Sequence, residues 1–205
     1  MNGVLLTYAH WAVIGSALTG ATLVIVNDRR GLAITLGIQY VFAGWLAAAT
    51  LGTNVAGAQV LGGLVAAIII WLTWKAAGRR PRQPRPTNDL MDIRPFRWVV
   101  VLLVAIAAWG LGRRSWMGLP GLTFDATMGS TFLMLLGLLQ ASLFRRPMRV
   151  VLGLLTMLSG FGIAYSAVET SLAVIALLIL VNLGLALAGS YLTIVEVPET
   201  RAPAP

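Results

Sequence analysis

The sequence predicts an all-α integral membrane protein of seven transmembrane helices, with the N-terminus outside and the C-terminus cytoplasmic. Three observations carry that prediction. Of 205 residues, 58% are hydrophobic and only 11% charged, with a mean hydropathy of +0.85; a soluble domain carries about a quarter charged residues. The apolar residues form continuous runs near the ~20 residues that a crossing helix needs, not the alternating ~10-residue segments of a membrane β-barrel. The basic residues lie between those runs and fall almost entirely on one side.

Taken in order, the spans are expected at 4–26, 31–51, 55–74, 96–112, 125–144, 147–167 and 171–194. The second and third are divided by GTN (52–54), the sixth and seventh by VET (168–170). The fourth has the shortest uninterrupted apolar core, Trp98 to Gly112. The charges test the count. Seven spans put Arg29, Arg30, Lys75, Arg79, Arg80, Arg82, Arg85, Arg94, Arg97, Arg145, Arg146, Arg149 and Arg201 on one side, against Arg113 and Arg114 on the other. Omitting the fourth span would send the Arg145 loop to the face opposite the Arg29 loop and spoil this positive-inside pattern.

Composition also limits the chemistry. The chain has no cysteine, which excludes disulfides, thiolate metal sites and thiol catalysis. Its net charge of +8 lies in short loops between apolar segments, which favours a topology signal and anionic lipid headgroups over nucleic acid. MNGVLLTYAH lacks a basic n-region, so no cleavable signal peptide is expected.

One motif recurs. DRRGLAITLG (28–37) is echoed by FRRPMRVVLG (144–153), and a shift of 116 residues aligns Arg29 with Arg145, Arg30 with Arg146, Gly37 with Gly153 and Gly44 with Gly160. Between 29–75 and its counterpart there are nine identities in 47 positions, part of which Leu, Ala, Gly and Val bias supplies. The expected organisation is a first three-helix unit (1–75), a basic Pro-rich cytoplasmic loop (76–95) and a connecting helix with an outer loop (96–124). A second three-helix unit (125–195) and a cytoplasmic tail (196–205) follow. An odd connecting helix gives both units one orientation, a parallel repeat about an axis near the membrane normal. Coincident helix spacing in a hydrophobic chain is the other explanation.

A three-span unit with its N-terminus outside, an arginine pair in the first inner loop and a Gly soon after it resembles the small K (4L) subunit of NADH–quinone oxidoreductase. Two such units joined by a helix resemble component E of hydrogenase-4, and RRPMRVVLGLLTMLSG (145–160) is similar to that family's basic loop running into a Gly-rich span. The resemblance covers most of the chain in architecture and about 30 residues in motif. It implies a multi-pass subunit of the bacterial cytoplasmic (inner) membrane, partnered by other integral membrane subunits and lacking a cofactor of its own. The chain departs from the pattern at the family's intramembrane glutamates. Leu158 and Ser159 stand where Glu-Asn precedes Gly160, and Phe42 and Ala43 precede Gly44. The seven acids, Asp28, Asp89, Asp92, Asp125, Glu169, Glu196 and Glu199, all fall in loops, helix ends or the tail. A carboxylate at membrane depth is costly and kept for function, so a carboxylate proton relay within this chain is not expected.

No catalytic or metal-binding motif is present. The lone His10, beside Tyr8 and Trp11, reads as an aromatic-belt residue or as a ligand to a neighbour's haem or pigment. Gln39 and Asn182 lie mid-span, as interhelical hydrogen-bond partners or as lining of a polar path. Gly37, Gly44, Gly153 and Gly160 are expected at close helix contacts. Arg29, Arg30, Arg145, Arg146 and Arg149 are expected as cytoplasmic anchors contacting lipid or a neighbouring subunit. The outer loop should seat Trp116 and Met117 in the interface, with Asp125 capping the fifth span. The expected function is a non-catalytic subunit packing between ion-translocating subunits of a complex-I-like or hydrogenase-type assembly. An accessory scaffold of another respiratory or photosynthetic complex, or a small repeat-built transporter, are the other readings.

Overall fold

A computed structural model describes residues 8–26, 28–51, 53–76, 94–115, 122–144, 146–166, 168 and 171–195. These form seven α-helices: α1 (Ala9–Ile25), α2 (Arg29–Leu51), α3 (Thr53–Ala76), α4 (Arg94–Ser115), α5 (Phe124–Leu143), α6 (Pro147–Ser166) and α7 (Leu172–Val195). Six are long and apolar enough to cross a membrane, and α1 is an apolar helix of 17 residues, about 25 Å at 1.5 Å per residue. The fourth helix, expected to be short, runs 22 residues with arginines at both ends. The Pro-rich loop, the tail, Trp116 and Met117 lie outside the described residues, as do the Arg29 and Arg145 side chains.

Short polar signals set the helix boundaries. Asp28 Oδ2 accepts from Gly31 N (3.0 Å), so the acid of NDRR caps α2. Pro147 opens α6, where a missing N–H costs nothing. At α5 the expectation needs correction. Thr123, not Asp125, is the cap: its extended backbone lets its hydroxyl accept from Ala126 N, and Asp125 sits in the first turn. There its negative charge complements the positive end of the helix.

The helices alternate in direction. The start of α6 reaches the end of α1 through Arg149 and Leu23, and the start of α4 reaches it through Arg97 and Ile25. Gly112, late in α4, faces Met128, early in α5. Thr73 Oγ1 donates to Ser190 Oγ (2.7 Å), bringing the ends of α3 and α7 level. Residues 28–30, 97, 146 and 149 thus gather at one basic end of the bundle.

The bundle is a ring of six helices with α4 outside it, against α5 and α1. Corresponding helices are neighbours: α1 packs on α5, α2 on α6 and α3 on α7. A two-fold axis along the membrane normal would instead oppose α1 to α7 and α3 to α5, and neither is among the principal helix pairs. The axis expected from the repeat is therefore not what organises the packing. One core cluster, built around Leu36, Tyr40, Ile70, Leu152 and Leu155, fills the half nearer the basic end. A second, with Ala43, Leu46, Leu133 and Ile163, fills the other half. Val101 and Ala108 of α4 join Phe132 and Leu136 in a third.

Candidate functional site

Most hydroxyls inside the helices are absorbed locally. Thr19, Thr22, Ser130, Thr156, Ser166 and Ser190 donate to carbonyls three or four residues back on their own helix. A glutamine or asparagine amide, with two donors and an acceptor, cannot be hidden that way. The amides and arginines therefore mark where the bundle departs from simple packing, and they form two groups.

The first is a clamp at the basic end. Arg149, only 8% exposed, donates through Nη1 to Leu23 O (3.0 Å) and through Nη2 to Val26 O (2.6 Å). Arg97, 3% exposed, donates from α4 to Ile25 O (3.5 Å). Both guanidinium carbons lie over the Phe144 ring, 4.7 Å and 5.3 Å from its centroid for Arg149 and Arg97. These carbonyls are the unsatisfied, partially negative end of α1, whose own last turn carries no basic residue. Two other helices thus supply the α1 C-cap. Arg30 and Arg146 are exposed, while Arg149, also singled out from sequence, is part of this cluster.

The second group lies between α3, α6 and α7, towards the opposite end. Gln59 Nε2 donates to Ser159 O (3.4 Å), crossing α6 where Gly162 leaves room: a Cβ there would stand 2.7 Å from Nε2. Gln59, Ser166 and Asn182 line a cavity of about 20 Å³ with apolar walls from Leu158, Ile175 and Ile179. Asn182 Oδ1 and Ser159 Oγ are buried without a hydrogen-bond partner. Gln39, fully buried, and Gln140 each leave both amide atoms unpartnered. The neighbouring Tyr40 hydroxyl donates to Leu155 O (3.3 Å).

His10 is exposed on the first turn of α1, its ring 5.3 Å from that of Trp11. Among the described residues no group of three His, Asp or Glu side chains is placed to hold a metal ion. The four glycines differ. A Cβ on Gly153 would meet Ala141 N (2.5 Å) and Gly137 O (2.7 Å); on Gly160 it would meet Ser130 O (2.7 Å). A Cβ on Gly44 would run into Val60 Cγ2, whereas Gly37 has only ordinary contacts, the nearest 3.6 Å from Leu64. Sequence reasoning missed Arg97, Gln59 and Gln140. Gln59 and Gln140, like Gln39 and Asn182, are amides inside apolar runs, and Arg97 stands one residue inside the apolar span that begins at residue 96.

Comparison with protein-family models, curated proteins and solved structures finds no significant match. The fold and the two polar groups define a multi-pass, all-helical membrane protein.

Proposed function

We propose that the chain is a non-catalytic integral subunit of a complex-I-like or membrane-bound hydrogenase-type energy-converting assembly, packed between larger ion-translocating subunits. Its basic end faces the cytoplasm, placing the N-terminus outside, and the membrane is the bacterial inner membrane. The observation that carries the reading is the seam between α5 and α6. Gly153 and Gly160 bring the α6 backbone directly against α5, in the Gly-rich stretch on which the resemblance to hydrogenase-4 component E rests. Two further features support it. Among the described residues the acids, Asp28 and Asp125, lie at helix N-termini, which suits a structural place rather than ion translocation. Long rows of apolar side chains on α4 (Trp98, Leu102, Ile106, Trp109) and α7 (Leu177, Leu180, Leu187, Tyr191) face outward, available to lipid or to flanking subunits.

The test is purification of the tagged protein from its native membrane in mild detergent, with mass spectrometry of whatever stays bound. Antiporter-like membrane subunits together with iron–sulfur or NiFe proteins in fixed ratio are the expected companions. A monodisperse particle with no partner sinks the proposal, and a different stable complex discards the family while keeping the scaffold role.

A further inference from the structure

We infer that the cavity between α3, α6 and α7 is a binding site for one neutral hydroxylic molecule, an ordered water, held by Gln59 and Asn182. The inference is independent of the assembly the chain belongs to. Its first basis is size: the cavity of about 20 Å³ exceeds the ~10–15 Å³ that one water requires and leaves no room for a larger guest. The second is an unmet need. Asn182 is 5% exposed, lies about 15 Å along α7 from Leu172 at 1.5 Å per residue, and its Oδ1 has no partner. At that depth the surroundings offer no bulk solvent, and an unpaired carbonyl oxygen is costly.

The third basis is donor–acceptor complementarity. Ser166, at the far end of the lining, spends its hydroxyl proton on Ile163 O of its own helix (3.1 Å) and is left out of the site. Gln59 uses one Nε2 proton on Ser159 O and has a second to give. A water can donate a proton to Asn182 Oδ1 while accepting from Gln59 Nε2. That meets the two to four polar partners a buried water needs. A dehydrated cation suits the cavity less well, since no charged side chain lines it and a lone charge there is far more costly than a dipole. Gly162 is the positioning residue, because only its missing side chain lets the Gln59 amide cross α6.

The experiment is water-edited solid-state NMR on labelled full-length protein in liposomes, reading magnetisation transfer from water to the side-chain amides of Gln59 and Asn182. Transfer to both is expected, and Asn182→Leu is expected to reduce the Gln59 signal several-fold. Gly162→Ala, which displaces the Gln59 amide, should abolish it. No transfer to either amide in the native protein overturns the site, and so does a Gln59 signal unchanged in N182L. Should both variants fail to fold, wild-type density at high resolution decides. A spherical feature within hydrogen-bond distance of Asn182 Oδ1 and Gln59 Nε2 supports the water; an empty cavity or a direct Gln59–Asn182 bond overturns it.

Discussion

Replacing Gly153 by alanine tests whether the α5–α6 seam is as tight as its geometry indicates. The added Cβ would stand 2.5 Å from Ala141 N, 2.7 Å from Gly137 O and 3.0 Å from Ala141 Cα, all backbone atoms that no rotamer change can move. Ordinary contact lies near 3.5–4.0 Å, so the helices must separate by roughly 1 Å along the seam. Overpacking of this kind costs about 1–3 kcal/mol. Against it stands the ~0.5–1 kcal/mol by which alanine outperforms glycine inside a helix. The balance is a loss of about 1–2 kcal/mol, larger in membranes in the sense that close packing is itself a main source of helix association there. On globular-protein scaling that is a melting temperature lower by roughly 2–8 °C. The assay is thermal unfolding in a mild detergent, with Gly184→Ala as the control, since nothing lies within 4 Å of a Cβ at Gly184. G184A should melt at or slightly above wild type. A G153A protein as stable as G184A would refute the argument, because the helices would then not be in backbone contact.

Arg149→Gln removes two charge-assisted bonds to Leu23 O and Val26 O, each worth about 1.5–3 kcal/mol; a melting temperature within error of wild type would refute the clamp, and R149K should rescue only in part because lysine cannot fork. Gln39→Leu should raise stability by about 1–3 kcal/mol, since neither amide atom has a partner to lose; a lower melting temperature would show an unseen partner. Because the chain has no cysteine, single cysteines report topology cleanly. Val168→Cys, at the exposed turn before α7, should react with an impermeant maleimide on intact cells, and Asp28→Cys only after permeabilisation, the reverse pattern inverting the orientation.

The helices were legible in the sequence because hydrophobic runs and their interruptions report span ends directly. Charge added what hydropathy left open at the fourth span: α4 extends into its flanking arginines and is long and apolar enough to cross a membrane, which fits long side chains reaching from helix ends to the interface. The helix neighbours were not legible. A shift of 116 residues pairs Gly153 with Gly37, yet Gly153 is in backbone contact with α5 while Gly37 touches only side chains. Equal letters at equal spacing thus carry different packing. The polar cavity was half legible: Asn182 stood out alone in an apolar run, but that Gln59 meets α6 there depends on which faces of α3 and α6 turn together, and nothing local encodes that.

The arginine motif shows the same division between signal and structure. Arg145 and Arg146 repeat Arg29 and Arg30, and a repeat of charge alone would make all four equivalent topology anchors. Three residues past that second pair stands Arg149, whose counterpart in the shift is Ala33, buried and uncharged. Arg149 leaves the surface to hold the C-terminus of α1, assisted by Arg97 across the Phe144 ring. Had the two halves been interchangeable, Ala33 would need an equivalent role at the end of α5, which a methyl group cannot fill; both helices end alike, with the cap N–H bonded four residues back, Val26 N to Thr22 O and Phe144 N to Gln140 O. The asymmetry does not lie in the two helix ends, since neither α1 nor α5 has a basic residue in its last turn; it lies in the arginines that α4 and α6 bring to α1. The basic end is therefore both an orientation signal and, at two of its arginines, the joint that ties α1, α4, α5 and α6 together.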